Sequence, residues 1–239
     1  MEHRLKSNAE EFRNRFGYNS SEPIDFTSFL QQLNIITVFR NCENFSGLSI
    51  KEGDNLFMLI NAKYPIGRQN FTICHELYHL YFDPNFKTHK CNVGHFPKKD
   101  KNERMADIFA SHLLIPEGGI SRMIPAEEHG KDRITLGTLL KIEHTYKCSR
   151  AALLMQLFKM KYISDDFKEK YSHNIKSGAI KHGYPIDLYE EGQERALLGT
   201  YGSLAHKLYD EGKISEGHFN ELMMAIGVDI NEIQDNNND

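Results

Sequence analysis

Three features of the 239-residue chain predict an α+β fold. Three short β-rich runs, 35–39, 45–50 and 56–61, follow one another closely, which predicts a small antiparallel sheet. One amphipathic helix covers 71–82, and helical periodicity dominates from residue 101 onward. A hydrophobic content of 40% is enough for a substantial core at this length.

In order, Leu5, Ala9, Phe12 and Phe16 recur at helical steps and form the apolar stripe of a first helix, closed by Gly17. Asp25 caps a second, short helix through Phe26, Phe29, Leu30 and Leu33. The β-rich runs come next, the last two joined by the turn-forming 51–55, as in an antiparallel meander. Pro65-Ile66-Gly67 breaks the chain before the helix at 71–82. The stretch 83–100, rich in Pro, Lys and His, reads as a loop, and 101–115 as a helix ended by Pro116 and Gly118-Gly119. A polar boundary at 125–132 precedes two helices, 134–143 and 149–159, joined through 146–148 with Ser149 as cap, a helix-turn-helix-like shape. Helices continue through Phe167, Tyr171 and Ile175, through 204–209, and through a Ser215-capped segment with Phe219, Leu222 and Met223 on one side. The polar 235–239 reads as a disordered tail. The predicted organisation is therefore one domain over 1–125, a helical region over 126–234 and the tail.

The chemistry concentrates in 71–82. His75 and His79 are four apart, so on a helix both imidazoles lie on one face and can grip one metal ion, with Glu76 beside the first. This is the HExxH pattern. Two neutral imidazoles leave room on zinc for a third protein ligand and a water, and the adjacent carboxylate can take that water's proton. A histidine pair on a helix can also be only a polar edge, and the chain has 12 histidines. The helix at 101–115 supplies what a complete site needs: Glu103 as third ligand, in the manner of gluzincin peptidases, and Asp107 one turn on, placed to accept the free ring N–H of a ligand histidine. His112, about half a turn out of phase with Glu103, should point away. His89, Cys91 and His95 in the loop match no compact zinc pattern and read as solvated side chains, with a lid histidine that stabilises an oxyanion as the other reading.

At these residues the chain resembles the ImmA/IrrE metallopeptidases. The resemblance rests on Arg68-x-x-Phe71-Thr72-x-x-His75-Glu76-x-x-His79, on Glu103-x-x-Ala106-Asp107-x-Phe109-Ala110 and on Leu113-Leu114-Ile115-Pro116. It implies a zincin-like domain, bound Zn2+ held by His75, His79 and Glu103, Glu76 as catalytic base, and an intracellular protein whose substrate is a helix-turn-helix repressor. Members usually carry Gly where this chain has Tyr78, and often Asn where it has Asp107. Tyr78 could narrow a substrate pocket or simply pack. In zinc peptidases of this architecture an edge strand holds the substrate in extended form; the candidate here is 56–61, which can equally be a plain structural strand.

The net charge of -4 gives no general argument for nucleic acid. Lys141, Lys147, Arg150, Lys159 and Lys161 make the helix-turn-helix-like region locally basic, so DNA binding stays open, although Leu139, Leu140, Ala152, Leu153, Leu157 and Phe158 favour packing. Neither a membrane-length apolar run nor a leader is present, which predicts a cytoplasmic protein with no membrane partner. Cys42, Cys74, Cys91 and Cys148 form no C-x-x-C pair and read as reduced thiols, Cys74 as a small buried residue rather than a redox sensor. The rivals to a peptidase are a DNA-binding regulator with a structural or vestigial zinc centre and a non-proteolytic repressor-binding module, such as one half of a toxin–antitoxin pair. Oligomeric state is not legible.

Overall fold

The computed structural model describes residues 1–84, 86, 88–91, 100–197 and 201–225. The elements run α1 (Glu2–Arg15), α2 (Phe26–Gln32), β1 (Ile35–Arg40), β2 (Gly47–Glu52), β3 (Asn55–Asn61), α3 (Ile66–Phe82), β4 (Thr88–Cys91), α4 (Lys101–Leu114) and α5 (Glu117–Met123). They continue with α6 (Leu136–Tyr146), α7 (Arg150–Lys159), α8 (Asp165–Tyr171), α9 (Ile175–Lys181), β5 (Arg195–Leu197), α10 (Tyr201–Asp210) and α11 (Glu216–Ala225). The class is α+β, as predicted.

The sheet departs from the predicted meander. It has five strands in the order β4-β2-β3-β1-β5, and β1 pairs with β3 in parallel. Only β2 and β3 form the expected hairpin, turning at Gly53 with φ +59°. Asn61, at the end of β3, explains why β1 does not pair with β2. Its side-chain amide donates to the carbonyls of Cys42 and Phe45 at 2.9 and 2.8 Å, so the connection from β1 is pinned across the end of β3 and emerges as β2 on the far side. The candidate substrate strand 56–61 is therefore interior, hydrogen-bonded on both sides, and cannot accept an added strand. Among the described residues the outer strands are β4 and β5.

β5 was not foreseen, and it corrects the expectation that everything after 126 is helical. Three residues are too few to show alternation. The chain is led there by backbone pairing: Ile66 N–H donates to Glu190 C=O, Gly192 N–H to Ala62 C=O, and Asn41 N–H to the Glu194 carboxylate at 2.7 Å. Gly192 lets the chain pass close to the Gln69 amide, since a Cβ there would lie 2.3 Å from its nitrogen and the amide would have to shift.

One apolar cluster runs from Leu5, Ala9 and Phe12 of α1 through Ile73 and Leu77 of α3 and Phe109 and Leu113 of α4 to Leu139, Leu153, Leu157 and Phe167. It crosses position 125 without a break. Arg13 is fully buried and ties α1 to its surroundings by donating to the carbonyls of Leu113, Asn19 and Glu22. α6 and α7 meet at Lys147, whose φ of +49° makes the turn, and Ser149 Oγ caps α7 by accepting from Ala152 N–H. α10 and α11 share a small separate cluster of Ala205, Phe219 and Met223. No helix among the described residues is long and apolar enough to cross a membrane.

Candidate metal centre

Pro65 precedes α3, and Gly67 in its first turn lets the helix press against the α6–α7 junction: a Cβ there would stand 2.8 Å from the Cys148 carbonyl carbon and the Ser149 nitrogen. One and a half turns or more further on, His75 and His79 share the buried face, at 0% and 1% exposure. The facing helix α4 is started by Asp100, whose carboxylate accepts from the N–H groups of Asn102 and Glu103 at 3.0 and 3.3 Å. That cap places Glu103 in the first turn of α4, buried opposite the two histidines.

The three side chains converge. His75 Nε2 and His79 Nε2 are 3.3 Å apart, and each lies 3.2 Å from an oxygen of Glu103. Two ligands on a tetrahedral zinc at about 2.1 Å are separated by about 3.4 Å, so this spacing fits a shared ion of that size. Among the described residues this is the group of His, Cys, Asp or Glu side chains that could hold a metal, with its ligand atoms within 4.8 Å of one another. Among the described residues no cysteine joins it. Cys74, next to His75, is fully buried, and burial pushes its thiol far up, which makes it an inert core residue.

The outer faces of the histidines are held too. His75 Nδ1–H donates to Asp107 Oδ1 at 3.0 Å and leaves Nε2 facing His79 and Glu103; the sequence places Asp107 beside a ligand histidine without saying which. Burial lowers the pKa of His75, but hydrogen bonding to Asp107 and Glu103, with the nearby Glu76 carboxylate, outweighs it and lifts the group to about 9. The surroundings thus favour a cation on this imidazole, a proton or a metal. Asp83 plays the matching part for His79, its Oδ2 lying 3.5 Å from Nδ1 and accepting from the Asn102 amide at 3.3 Å. Sequence reasoning missed Asp83, although its signal was present: it is four residues beyond His79, at the end of the same helix.

Glu76 is fully buried between α3 and β2. The hydroxyl of Ser49 on β2 donates to its Oε2, while Oε1 has no hydrogen-bond partner among the described residues. Gly47 makes the approach possible, since a Cβ there would be 2.6 Å from the Thr72 methyl and 3.0 Å from Glu76 Oε1. Neither Ser49 nor Gly47 was legible beforehand, because both depend on the strand register against α3.

The other candidates fall outside the centre. His112 is buried beside Gln156 and Glu117, 3.5 and 3.7 Å away. Tyr78 packs, with its ring against Phe82 and Phe109. His95 and the side chains of His89 and Cys91 lie outside the described residues. Arg150, the centre of the basic patch, is buried in an ion pair with Glu143 and donates to the Tyr171 carbonyl; Tyr189 donates to the same glutamate at 2.7 Å.

Comparison with protein families matches residues 30–158 to a peptidase family described as the IrrE N-terminal-like domain. The matched stretch holds all of His75, Glu76, His79, Glu103 and Asp107. No curated protein matches the chain.

Proposed function

Since this chain belongs to the ImmA/IrrE family of metallopeptidases, we propose that it is a zinc-dependent endopeptidase whose substrate is a protein, a helix-turn-helix repressor being the best-supported class. The observation that carries the reading is the buried His75–His79–Glu103 group with the Glu76 carboxylate beside it, one oxygen held by Ser49 and the other without a hydrogen-bond partner among the described residues. A purely structural zinc would have four protein ligands. Here three ligands and an adjacent base support a catalytic site.

In this mechanism His75, His79 and Glu103 hold the ion, and Asp107 and Asp83 hold the two imidazoles in the tautomer that presents Nε2. Zinc, when bound, supplies Lewis acidity and brings the pKa of water to about 7. Ser49 fixes Glu76 so that Oε1 receives the proton of the attacking water. The protonated Glu76 then passes it to the amine of the leaving peptide as the C–N bond breaks. Burial of the base on the β2 side keeps bulk water from competing for it. Family membership supports peptide-bond hydrolysis; the repressor as substrate follows from the resemblance described above.

The test uses a panel of purified helix-turn-helix repressors. Zinc-loaded protein is expected to cut a member of the panel at a discrete site visible by mass spectrometry, chelator-stripped protein to leave it whole, and re-added zinc to restore cutting. Unchanged cleavage after complete removal of metal would refute the zinc mechanism. Binding without cleavage under every metal condition would favour the sequestering alternative.

A further inference from the structure

A cavity of about 570 Å³ opens between α3, α4 and α7. Its floor is apolar: Phe71 from α3, Ile108 from α4, and Ala152 and Met155 from α7. Met155 is 45% exposed, high for so apolar a side chain, and it lies on the exposed face of α7 between Ala151 and Lys159. Arg104 and Lys159 stand on the rim, both exposed and neither in an ion pair among the described residues, and they outnumber the one exposed carboxylate there that is likewise in no ion pair, Glu2, in a chain whose net charge is -4. Asp107 forms the wall nearest the metal centre, with its carboxylate bonded to His75 on one side and 34% exposed on the other. The cavity and the metal centre are therefore separated by the width of one imidazole.

We propose that this groove is the substrate-recognition site of the enzyme, and that it takes an acidic, amphipathic segment of the substrate protein. Apolar side chains of that segment lie on Phe71, Ile108 and Met155, and its carboxylates face Arg104 and Lys159. The volume is in the range that holds a few large side chains. An amphipathic helix laid in a groove contributes apolar anchors from one face and charges from the edges, which is the chemistry this surface complements. The uncommitted cations argue for acidic rather than basic flanks. The inference rests on the peptidase reading and narrows it: α7, with the facing residues of α3 and α4, selects the substrate for the metal centre, and the exposed stripe of α7 serves a protein and not a DNA groove.

Binding is measured so that it does not depend on turnover. Zinc-loaded Glu76→Gln protein is applied to an array of synthetic peptides in which apolar positions and flanking Glu, Gln or Lys are varied systematically. Peptides with large apolar residues flanked by Glu should be retained. Met155→Glu should weaken retention at least about tenfold, and the double variant Arg104→Glu/Lys159→Glu should shift the preference to Lys-flanked peptides, with zinc content unchanged in both. Equal retention by all variants, a wild-type preference for basic flanks, or no retention at all would overturn the proposal. So would a duplex-DNA gel shift that the double charge reversal abolishes. Wild-type protein on the retained peptides then tests catalysis separately, because retention without cleavage leaves the groove standing and removes the peptidase.

Discussion

His75 and His79 were legible because helical spacing alone puts their side chains together, and Glu76 because it completes the HExxH pattern, and the consequences are testable one residue at a time. Asp107→Ala and Asp83→Ala should each weaken zinc affinity by about 10–100-fold, through loss of the acceptor that orients a ligand imidazole. Competition with a chromophoric chelator reads this directly. Equal affinity in both variants would mean that the two carboxylates are incidental. His75 also gives a pH dependence with a definite sign. Its folded pKa of about 9 exceeds the 6.5 of a free imidazole, so in metal-free protein its stabilisation is present below pH 6.5 and is lost as pH rises through 9. Metal needs the unprotonated ring, so the gap in Tm between zinc-loaded and metal-free protein should widen from pH 6.5 to 9. A gap independent of pH would contradict the placement of His75 between Asp107 and Glu103.

At the scale of elements, the helices followed from their apolar periodicity and caps, and the sheet did not follow from its strands. β1, β2 and β3 each have the right residues, but strand order was decided by the Asn61 amide holding the 42–45 connection, a contact between segments that periodicity cannot express. The same holds for β5, which is placed by Gly192 and Glu194, and for Ser49 and Gly47, whose roles exist only once β2 lies on α3. Gly47→Ala tests this layer. The added methyl meets Thr72 and Glu76, so turnover should fall by up to about 10²-fold while zinc is retained, since a displaced base costs rate and not metal. Normal turnover in that variant would mean the strand and the base are not in contact. At the α6–α7 junction, Glu143→Ala leaves the buried Arg150 guanidinium without its carboxylate and should cost about 3–5 kcal/mol in urea denaturation.

Over the whole molecule, the polar stretch 125–132 looks like a boundary in sequence because polarity is a local signal, whereas the apolar cluster is contributed by residues on both sides of it. Leu139, Ile142 and Leu153 belong to the same apolar cluster as residues of α3, α4 and α5, and the family match likewise continues to 158. A fragment ending at 125 should therefore fail to fold cooperatively, while one ending at about 172 should show a sharp thermal transition by circular dichroism. The central claim concerns one oxygen of one carboxylate, and the most direct measurement compares wild type with Glu76→Gln for bound zinc and for fragments of the proposed repressor substrate in the same preparation. The expected result is equal zinc, near one per chain, with cleavage by the wild type and a loss of about 10²-fold or more in the variant. Equal cleavage by both, or loss of zinc along with Glu76, would contradict the assignment of this residue as the base beside a His75–His79–Glu103 metal.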